Sequence, residues 1–194
     1  MTFSKSYMDE LIQIASEIPT EKIENLAKLL SDLRNSNGRL FVLGVGGSAA
    51  NSSHAVNDFR KLAGIETYSP TDNVAEITAR TNDEGWSTVF EGWLKVSRLN
   101  ETDCLLVLSV GGGDELKQVS TNLIGAIKYA RSVGAKVTGI VGRNEGYTAQ
   151  NADLCVVIPI INSTNITPHA ESFQSIVWHL LVTHPLLKLN PTKW

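Results

Sequence analysis

The strongest structural signal in this chain is the segment Phe41-Val-Leu-Gly-Val-Gly-Gly-Ser-Ala-Ala-Asn-Ser-Ser-His-Ala-Val-Asn-Asp58, in which an apolar strand passes through a glycine turn straight into a helix. Such a junction directs unpaired backbone N–H groups and the positive end of a helix at one point, where an anion or an oxygen-rich ligand can dock. On the same helix His54 and Asp58 are four residues apart and share one face. The segment therefore predicts that ligand binding and acid–base chemistry use one element.

Two known phosphate-binding motifs do not fit this glycine turn. The dinucleotide motif Gly-x-Gly-x-x-Gly is broken by Ala49, and a Walker phosphate loop needs a lysine where Gly47 stands. A purely structural turn, with Ser48 as the helix cap, is an alternative to a ligand site. A second glycine-rich strand exit, Ser109-Val-Gly-Gly-Gly-Asp114, favours the ligand site because both loops are expected at one sheet edge.

Composition limits the class of protein. The chain has 194 residues and 42% apolar content, which is enough to fill the core of one domain over residues 1–194. Its net charge of -3 gives no basic surface for nucleic acid. The first residues lack the apolar core of a signal peptide, and no run approaches the roughly 18 apolar residues of a membrane span, so we expect a cytoplasmic protein with no membrane partner. Cys104 and Cys155 lie in apolar strand-like runs and are expected to be buried, reduced thiols.

Short apolar runs alternate with helical patterns along the chain, which is typical of βαβ units. The predicted strands cover residues 39–43, 104–109, 136–141 and 154–159, with a weaker signal at 66–68, and the predicted helices cover 6–16, 20–34, 49–63, 83–96, 120–133 and 169–184. This order predicts an α/β fold: a three-layer αβα sandwich around a doubly wound parallel sheet, preceded by two N-terminal helices. In such a sheet ligands bind outside the carboxyl ends of the strands. The segment 184–194 lacks helical spacing and is expected to pack on a neighbour rather than to bind ligand.

The last helix carries a second group of functional side chains, in Pro168-His-Ala-Glu-Ser-Phe-Gln-Ser-Ile-Val-Trp-His179. Glu171 and His179 are eight residues apart, about 80° around the helix and two turns along it, so both can approach one ligand from the same flank. Together with His54 and Asp58 they offer two imidazoles and two carboxylates, which suit zinc or another divalent ion and also acid–base catalysis. For each histidine alone, a role in the core or at an interface is the alternative.

The segment Gly44-Val-Gly-Gly-Ser-Ala-Ala-Asn-Ser-Ser-His54 resembles the Gly-Asn-Gly-Gly-Ser-Ala-Ala-x-x-x-His opening of the sugar isomerase (SIS) domains, specifically the sedoheptulose 7-phosphate or phosphoheptose isomerases. The similarity extends to the two leading helices, Thr81-Asn82-Asp83, the Ser109 loop, the strand exit at 139–143 and the final helix. It implies a flavodoxin-like SIS fold and a homotetramer, or a dimer, in which residues 1–36 serve oligomerisation. It also implies an active site shared between subunits, a sugar-phosphate substrate, and one Zn²⁺ ion per subunit.

The resemblance also assigns roles to the polar side chains. His54 falls on a metal ligand, Asp58 on a glutamate that is both base and ligand, Glu171 on a glutamine ligand, and His179 on a histidine that is ligand and acid–base group. Asp58 and Glu171 differ from the family residues: one carboxylate is shorter by a methylene, and the other adds a negative charge. Either of them is therefore a candidate base, and His179 is the third catalytic residue.

The resemblance places the substrate on residues from four parts of the chain. They are Val45, Gly46, Gly47 and Ser48 in the first glycine turn, Asn82 and Asp83, Ser109 and Gly111 in the second loop, and Ser120 at the start of the following helix. Of the first three residues of the family's Ser-Thr-Ser-Gly-Asn-Ser loop, only Ser109 is present. Residues 111–119 form a loop that contains an insertion, after which Ser120 is expected to cap the helix and face a phosphate. Asp114 would repel a phosphate if it pointed inward, whereas glycine N–H groups can hold an oxyanion without side chains.

The function that the resemblance implies is aldose–ketose isomerisation of a sugar phosphate. The expected reaction converts sedoheptulose 7-phosphate to D-glycero-D-manno-heptose 7-phosphate through an enediol, for heptose biosynthesis. Two alternatives are open: a non-catalytic SIS-domain binding or regulatory protein, and an isomerase acting on a different phosphosugar.

Overall fold

Five parallel strands alternate with helices along the chain. The computed structural model describes residues 1–192, so Lys193 and Trp194 lie outside the described residues. The helices are α1 (Phe3–Glu17), α2 (Thr20–Asn35), α3 (Gly47–Lys61), α4 (Val74–Asp83), α5 (Val89–Val96), α6 (Thr121–Ser132), α7 (Tyr147–Asn151) and α8 (Ile166–Thr183). The strands are β1 (Leu40–Leu43), β2 (Thr67–Tyr68), β3 (Cys104–Ser109), β4 (Lys136–Val141) and β5 (Leu154–Val157).

The strand order across the sheet is β2-β1-β3-β4-β5, and every neighbouring pair is parallel. In the central pairs Leu40 lies opposite Cys104, and Cys104 lies opposite Lys136. The chain moves outward from β1 to β2 and then returns to β3 on the other side of β1. The loops after β1 and β3 therefore flank the point where the winding reverses, which is where open α/β sheets bind ligands. The predicted doubly wound sheet and the adjacency of the two glycine loops are confirmed.

Helices cover both faces of the sheet. Side chains alternate along β1, so that Leu40 and Val42 pack under α2, α3 and α8, while Phe41 and Leu43 pack under α5 and α6. Burial on both faces explains why the strands read as continuous apolar runs. No helix within residues 1–192 is long and apolar enough to cross a bilayer.

The helix predicted over residues 83–96 is wrong, because the structure divides this region. α4 ends at Asp83, Gly85 adopts a positive φ of 88°, and a 3₁₀ turn at Trp86–Thr88 leads into α5. A residue in the left-handed region cannot continue an α-helix, and glycine enters that region without steric cost. α4 itself begins after Asn73, whose side chain accepts hydrogen bonds from two backbone N–H groups of the first turn, a capping signal that the apolar spacing did not reveal.

The predicted N-terminal helices are present, and α1 is attached to the rest of the fold by a polar contact. The Glu10 carboxylate accepts hydrogen bonds from the Asn162 and Asn165 side chains at 2.7 and 2.8 Å and lies 2.6 Å from Nε2 of buried His169. These hydrogen bonds, with Asn162 as the largest contribution, lower the pKa of Glu10 from 4.5 to about 2. α1 is therefore held to the start of α8 by a carboxylate as well as by buried Ile14.

Both cysteines are free and buried, as predicted. Burial disfavours the thiolate and raises the pKa of Cys104 and of Cys155 to about 12. The thiols therefore stay protonated and unreactive at neutral pH.

Candidate functional site

The site is built by two helices, α3 and α8, that lie side by side and run in the same direction. Near their starts, Nδ2 of Asn51 donates hydrogen bonds to the Glu171 carbonyl oxygen at 2.9 Å and to Oε1 of Gln174 at 3.1 Å. Further along, Oδ2 of Asp58 lies 3.9 Å from Nε2 of His179. This pairing brings together functional residues that are far apart in the sequence.

His54, Asp58 and His179 form one group, called the triad below. Oδ2 of Asp58 lies 3.7 Å from Nε2 of His54 and 3.9 Å from Nε2 of His179, and one ligand atom from each residue lies within 4.8 Å of the others. The second oxygen of Asp58 accepts a hydrogen bond from Nδ2 of Asn57 at 2.7 Å. The Asp58 side chain is 15% exposed, against 57% for His54 and 46% for His179, so the carboxylate is the most deeply buried member of the triad.

The hydrogen bonding of His179 determines which of its nitrogens faces the triad. Nδ1 lies 2.8 Å from the Ser175 carbonyl oxygen, one turn earlier in α8. Because a carbonyl can only accept, Nδ1 carries the proton, and in the neutral ring Nε2 keeps its lone pair toward Asp58. A lone pair in this position suits either proton transfer or metal binding.

The Trp178 side chain packs against both imidazoles of the triad. It is fully buried, its ring meets that of His54 edge-on at 4.6 Å between centroids, and it also contacts the ring of His179. Its position also restricts the rotation of His54, which limits where that imidazole can point.

A cavity of about 370 Å³ adjoins the triad. Its walls include His54, Asp58 and His179, together with Lys61 and Thr192. Ligand cavities in proteins usually measure about 300–1,000 Å³, so this space can hold part of a small polar ligand. Two imidazoles and a carboxylate thus face a concave space of ligand size.

The triad fits a divalent metal ion. Two imidazoles and one carboxylate are a common ligand set of catalytic zinc, which keeps a further position for water or substrate. Glu171, predicted as a fourth ligand, is not part of the group. It precedes His179 by eight residues, which is about 12 Å along a helix. Its carboxylate instead lies against Gly47, where an added Cβ would approach the carboxyl atoms to 2.6 Å.

The glycine turn after β1 has the geometry expected of a strand-to-helix junction. Gly46, with φ of 63°, is the residue before α3, and its carbonyl oxygen accepts hydrogen bonds from Ala49 and Ala50 N–H. The alternative in which Ser48 caps the helix is wrong, because Ser48 lies inside the first turn and is buried. Val45 is half-buried against the apolar cluster under α5 and α6. The side chain at this position therefore contributes packing.

Polar groups of the loop after β3 form hydrogen bonds within the loop and to α7. Ser109 is buried, and its hydroxyl oxygen accepts a hydrogen bond from Gly112 N–H at 2.9 Å. The carbonyl oxygens of Gly112 and Gly113 accept from Thr148 and Tyr147 N–H, both at 2.9 Å, which docks the loop onto α7. Gly111 is half-buried at the edge of a second cavity, between this loop and α7.

The inserted part of this loop forms a small hairpin closed by a bridge between Asp114 and Val119. The Asp114 carboxylate accepts hydrogen bonds from Lys117 and Leu116 N–H, and the bond from Lys117 is the main reason why its pKa is lowered. The expectation that Ser120 caps α6 is wrong: Ser120 precedes the helix in the left-handed conformation, with φ of 50°, and makes no capping bond through its side chain.

Asn82 and Asp83 lie exposed at the end of α4, where Nδ2 of Asn82 donates to Oδ1 of Asp83 at 2.7 Å. Their contact with substrate stays a prediction from the resemblance.

Comparison with known proteins places this geometry in a family. Residues 6–142 match the SIS domain family. The chain belongs to that family. It is 27% identical to a phosphoheptose isomerase of Aliarcobacter butzleri, over 95% of this chain and 93% of that protein. It is 33% identical to the lincomycin biosynthesis protein LmbN of Streptomyces lincolnensis over 80% of this chain, and the aligned part spans 58% of LmbN.

Solved structures agree with this assignment. The phosphoheptose isomerase GmhA from Neisseria gonorrhoeae superposes with a TM-score of 0.79 at 22% identity, covering 93% of this chain and 95% of that one. A phosphoheptose isomerase from Francisella tularensis gives a TM-score of 0.79 at 25% identity, covering 94% and 97%. The α/β SIS fold is thus shared over nearly the whole chain.

Two residues that position the triad were not predicted from the sequence. Ser175 orients His179 through its backbone carbonyl, and the spacing of four residues within a helix was the available signal. Asn51 links α3 to α8, and nothing in the sequence pattern indicates that contact.

Proposed function

We propose that this SIS domain protein is an aldose–ketose isomerase that interconverts sedoheptulose 7-phosphate and D-glycero-D-manno-heptose 7-phosphate. The observation that carries the proposal is the triad, in which a carboxylate and two imidazoles line one cavity. The phosphoheptose isomerase relatives support the choice of substrate. Formation of the heptose phosphate fits a cytoplasmic step in heptose biosynthesis.

The residues of the triad can carry out the proton transfers. Asp58 accepts the proton from the carbon beside the ketose carbonyl, the electron pair of that C–H bond forms a carbon–carbon double bond, and the carbonyl π pair moves to the oxygen, giving an enediolate. Return of a proton to the neighbouring carbon, with loss of the proton on the oxygen that becomes the new carbonyl, completes the aldose. In the site without metal, the lone pair on Nε2 of His179 receives that hydroxyl proton and passes it to the oxygen of the former carbonyl, which restores the neutral imidazole. Asp58 is favoured over Glu171 as the base because its carboxylate lies beside both imidazoles, whereas Glu171 lines a separate cavity with Gly47 and Asn51.

The proposal includes one Zn²⁺ ion per subunit, held by His54, Asp58 and His179. When bound, zinc would polarise the carbonyl and hydroxyl oxygens of the substrate. The ring nitrogen of His179 that faces the triad has a single lone pair, so at that atom it either binds metal or transfers a proton.

The rest of the substrate is assigned to the strand exits. Backbone groups at Gly46 and Gly47 lie at the start of α3, where the helix dipole favours oxygen-rich groups. Ser109, Gly111 and Ser120 belong to the loop after β3, at the neighbouring strand end. We assign the phosphate to this loop, with backbone N–H groups replacing the serine hydroxyls that the loop lacks.

Self-association as a homotetramer, or a dimer, is part of the proposal. α1 exposes the large apolar side chains of Phe3, Met8 and Ile12, and α8 exposes Ile176 and Leu180 close to the site. Apolar side chains exposed together are typical of association surfaces. Burial of these side chains between copies of the chain would place α8 of one subunit beside a second subunit.

The deciding experiment is a turnover assay with sedoheptulose 7-phosphate, with and without added zinc. Product formation in either condition supports the proposal, and its dependence on zinc distinguishes metal binding from proton transfer at His179. Absence of product in both conditions overturns the proposal and leaves a binding or regulatory SIS protein.

A second candidate is an isomerase for a different phosphosugar. It is favoured by the loop after β3, where the Ser109 hydroxyl already accepts a bond from Gly112 and Ser120 is in a left-handed conformation. Turnover of another ketose phosphate at a higher kcat/KM than sedoheptulose 7-phosphate would support it.

A further inference from the structure

The segment that follows α8 returns to the triad. α8 ends at Thr183, and Pro185 prevents its continuation. Leu187 is then fully buried in the core. The Arg34 guanidinium donates hydrogen bonds to the carbonyl oxygens of Leu187 at 2.7 Å and Leu186 at 2.9 Å. The chain is therefore anchored within four residues of the end of the helix.

A second set of contacts holds the next residues against the end of α3. The carbonyl oxygen of Leu62 accepts hydrogen bonds from Leu189 N–H at 2.8 Å and Asn190 N–H at 3.1 Å. Nδ2 of Asn190 donates to the Lys61 carbonyl oxygen at 2.8 Å. These bonds satisfy carbonyl groups that a helix leaves without partners at its C-terminus.

Two residues beyond this anchor, Thr192 lines the same cavity as His54, Asp58 and His179. The other walls of the cavity come from α3, from Leu62 directly after it, and from α8. A segment fixed at Asn190 thus completes a space that two packed helices would leave open on one side. The expectation that residues 184–194 pack on a neighbour rather than bind ligand stays a prediction, although Thr192 lines this cavity.

We propose that the segment Leu189–Thr192, called the C-terminal wall below, determines which substrates reach the triad, with Thr192 facing the ligand. The inference about substrates rests on the proposed isomerase function. The inference about access does not, because Thr192 lines one side of the cavity whatever molecule enters it. The side chains of His54 and His179 are 57% and 46% exposed, so the C-terminal wall narrows the approach to the triad without closing it.

The first test measures access without any sugar. Diethyl pyrocarbonate acylates an imidazole nitrogen that has a free lone pair, and Nε2 of His179 faces the cavity. The rate is followed by peptide mass spectrometry in four proteins: the full-length chain, the chain ending at Thr192, the chain ending at Asn190, and full-length Thr192→Trp. The two shortened chains differ only in Pro191 and Thr192, and Thr192→Trp is compared with the full-length chain. N-acetylhistidine added to each solution is the reference, because one ring nitrogen of His184 contacts Glu24 and the other accepts from Leu186 N–H.

The C-terminal wall predicts that acylation of His179 is faster in the chain ending at Asn190 than in the chain ending at Thr192, and slower in Thr192→Trp than in the full-length chain, while the rate at N-acetylhistidine is unchanged. Equal rates at His179 within each pair would overturn the proposal. If the chain ending at Asn190 does not fold, the full-length Thr192→Trp variant still decides, because a His179 acylation rate equal to that of the full-length parent would overturn the proposal.

The second test measures selectivity between a seven-carbon and a six-carbon ketose phosphate. Loss of a contact along one pocket wall changes the ratio of the two kcat/KM values by about tenfold, so this shift is expected in the chain ending at Asn190 relative to that ending at Thr192. An unchanged ratio overturns the role in selectivity. If the full-length chain turns over neither sugar, the proposed function fails, and the acylation rates still decide whether the wall controls access.

Discussion

The Ser175 carbonyl oxygen fixes the tautomer of His179, because Nδ1 of the imidazole lies 2.8 Å from it and must donate. Nε2 is thereby left as the reactive nitrogen. Since this contact joins positions four apart on one helix, it is formed by α8 alone and does not depend on a ligand. The orientation of the acid–base group is thus set in advance of binding.

Replacement of His179 by Gln should abolish isomerisation while preserving the fold. Loss of a positioned acid–base group lowers kcat on the order of 100-fold or more. Because His179 is half-exposed and lies outside the core, the melting temperature should stay close to that of the parent. Turnover and thermal denaturation are measured on the same preparation. Unchanged turnover would exclude a catalytic role for His179.

Replacement of Asp58 by Asn should weaken zinc binding on the order of tenfold or more, because it removes the charged ligand of the triad. Glu171→Gln is the matched control, since it makes the same chemical change in a carboxylate outside the triad. Isothermal titration calorimetry with Zn²⁺ compares the two variants. An equal loss in both would return Glu171 to the ligand set that the family resemblance implies.

Replacement of Gly146 by Ala should loosen the loop after β3. An added Cβ there would lie 2.0 Å from the Gly111 carbonyl oxygen, so the loop must move away from α7. Overpacking of this kind costs about 1–3 kcal/mol in the free energy of unfolding. Gly111→Ala is the control, because nothing lies within 4 Å of its added Cβ. Urea denaturation measures both, and similar stabilities would contradict the observed docking of the loop.

Acid should release the contact between α1 and α8. Hydrogen bonds from Asn162, Asn165 and His169 lower the pKa of Glu10 to about 2, below its value of 4.5 in the unfolded chain. A depressed pKa contributes stability that is fully present above pH 4.5 and is lost as the pH falls toward 2. Glu10→Gln should therefore be less stable than the parent at pH 6, and this difference should shrink between pH 4.5 and 2. A difference independent of pH would show that the Glu10 charge is not involved.

The fold could be predicted largely from the sequence, whereas the site could be predicted only in part. Strands β3 and β4 follow from runs of buried apolar residues, because burial on both faces leaves a continuous signal. The pairing of His54 with Asp58 follows from helical spacing. The contact of Asp58 with His179 does not, since it depends on how two helices distant in sequence pack.

Other features that were not predicted from the sequence have local physical causes. Gly85 interrupts an apolar pattern that runs across it, and only its positive φ reveals the break. Ser120 has the residue type of a cap but adopts a left-handed conformation after the inserted hairpin. Thr192 reaches the cavity through hydrogen bonds made by the backbone, which leave no trace in a pattern of side chains.

The parallel alignment of α3 and α8 makes the site sensitive to axial sliding between the two helices. One turn of displacement, about 5.4 Å, can exchange one set of apolar contacts for an equivalent set. The same displacement would separate Asp58 from His179 and break the bonds of Asn51 to α8. The hydrogen bonds of Asn51 therefore fix the axial register of α3 against α8. They favour the one alignment in which Asp58 and His179 meet, although the apolar contacts alone would allow others.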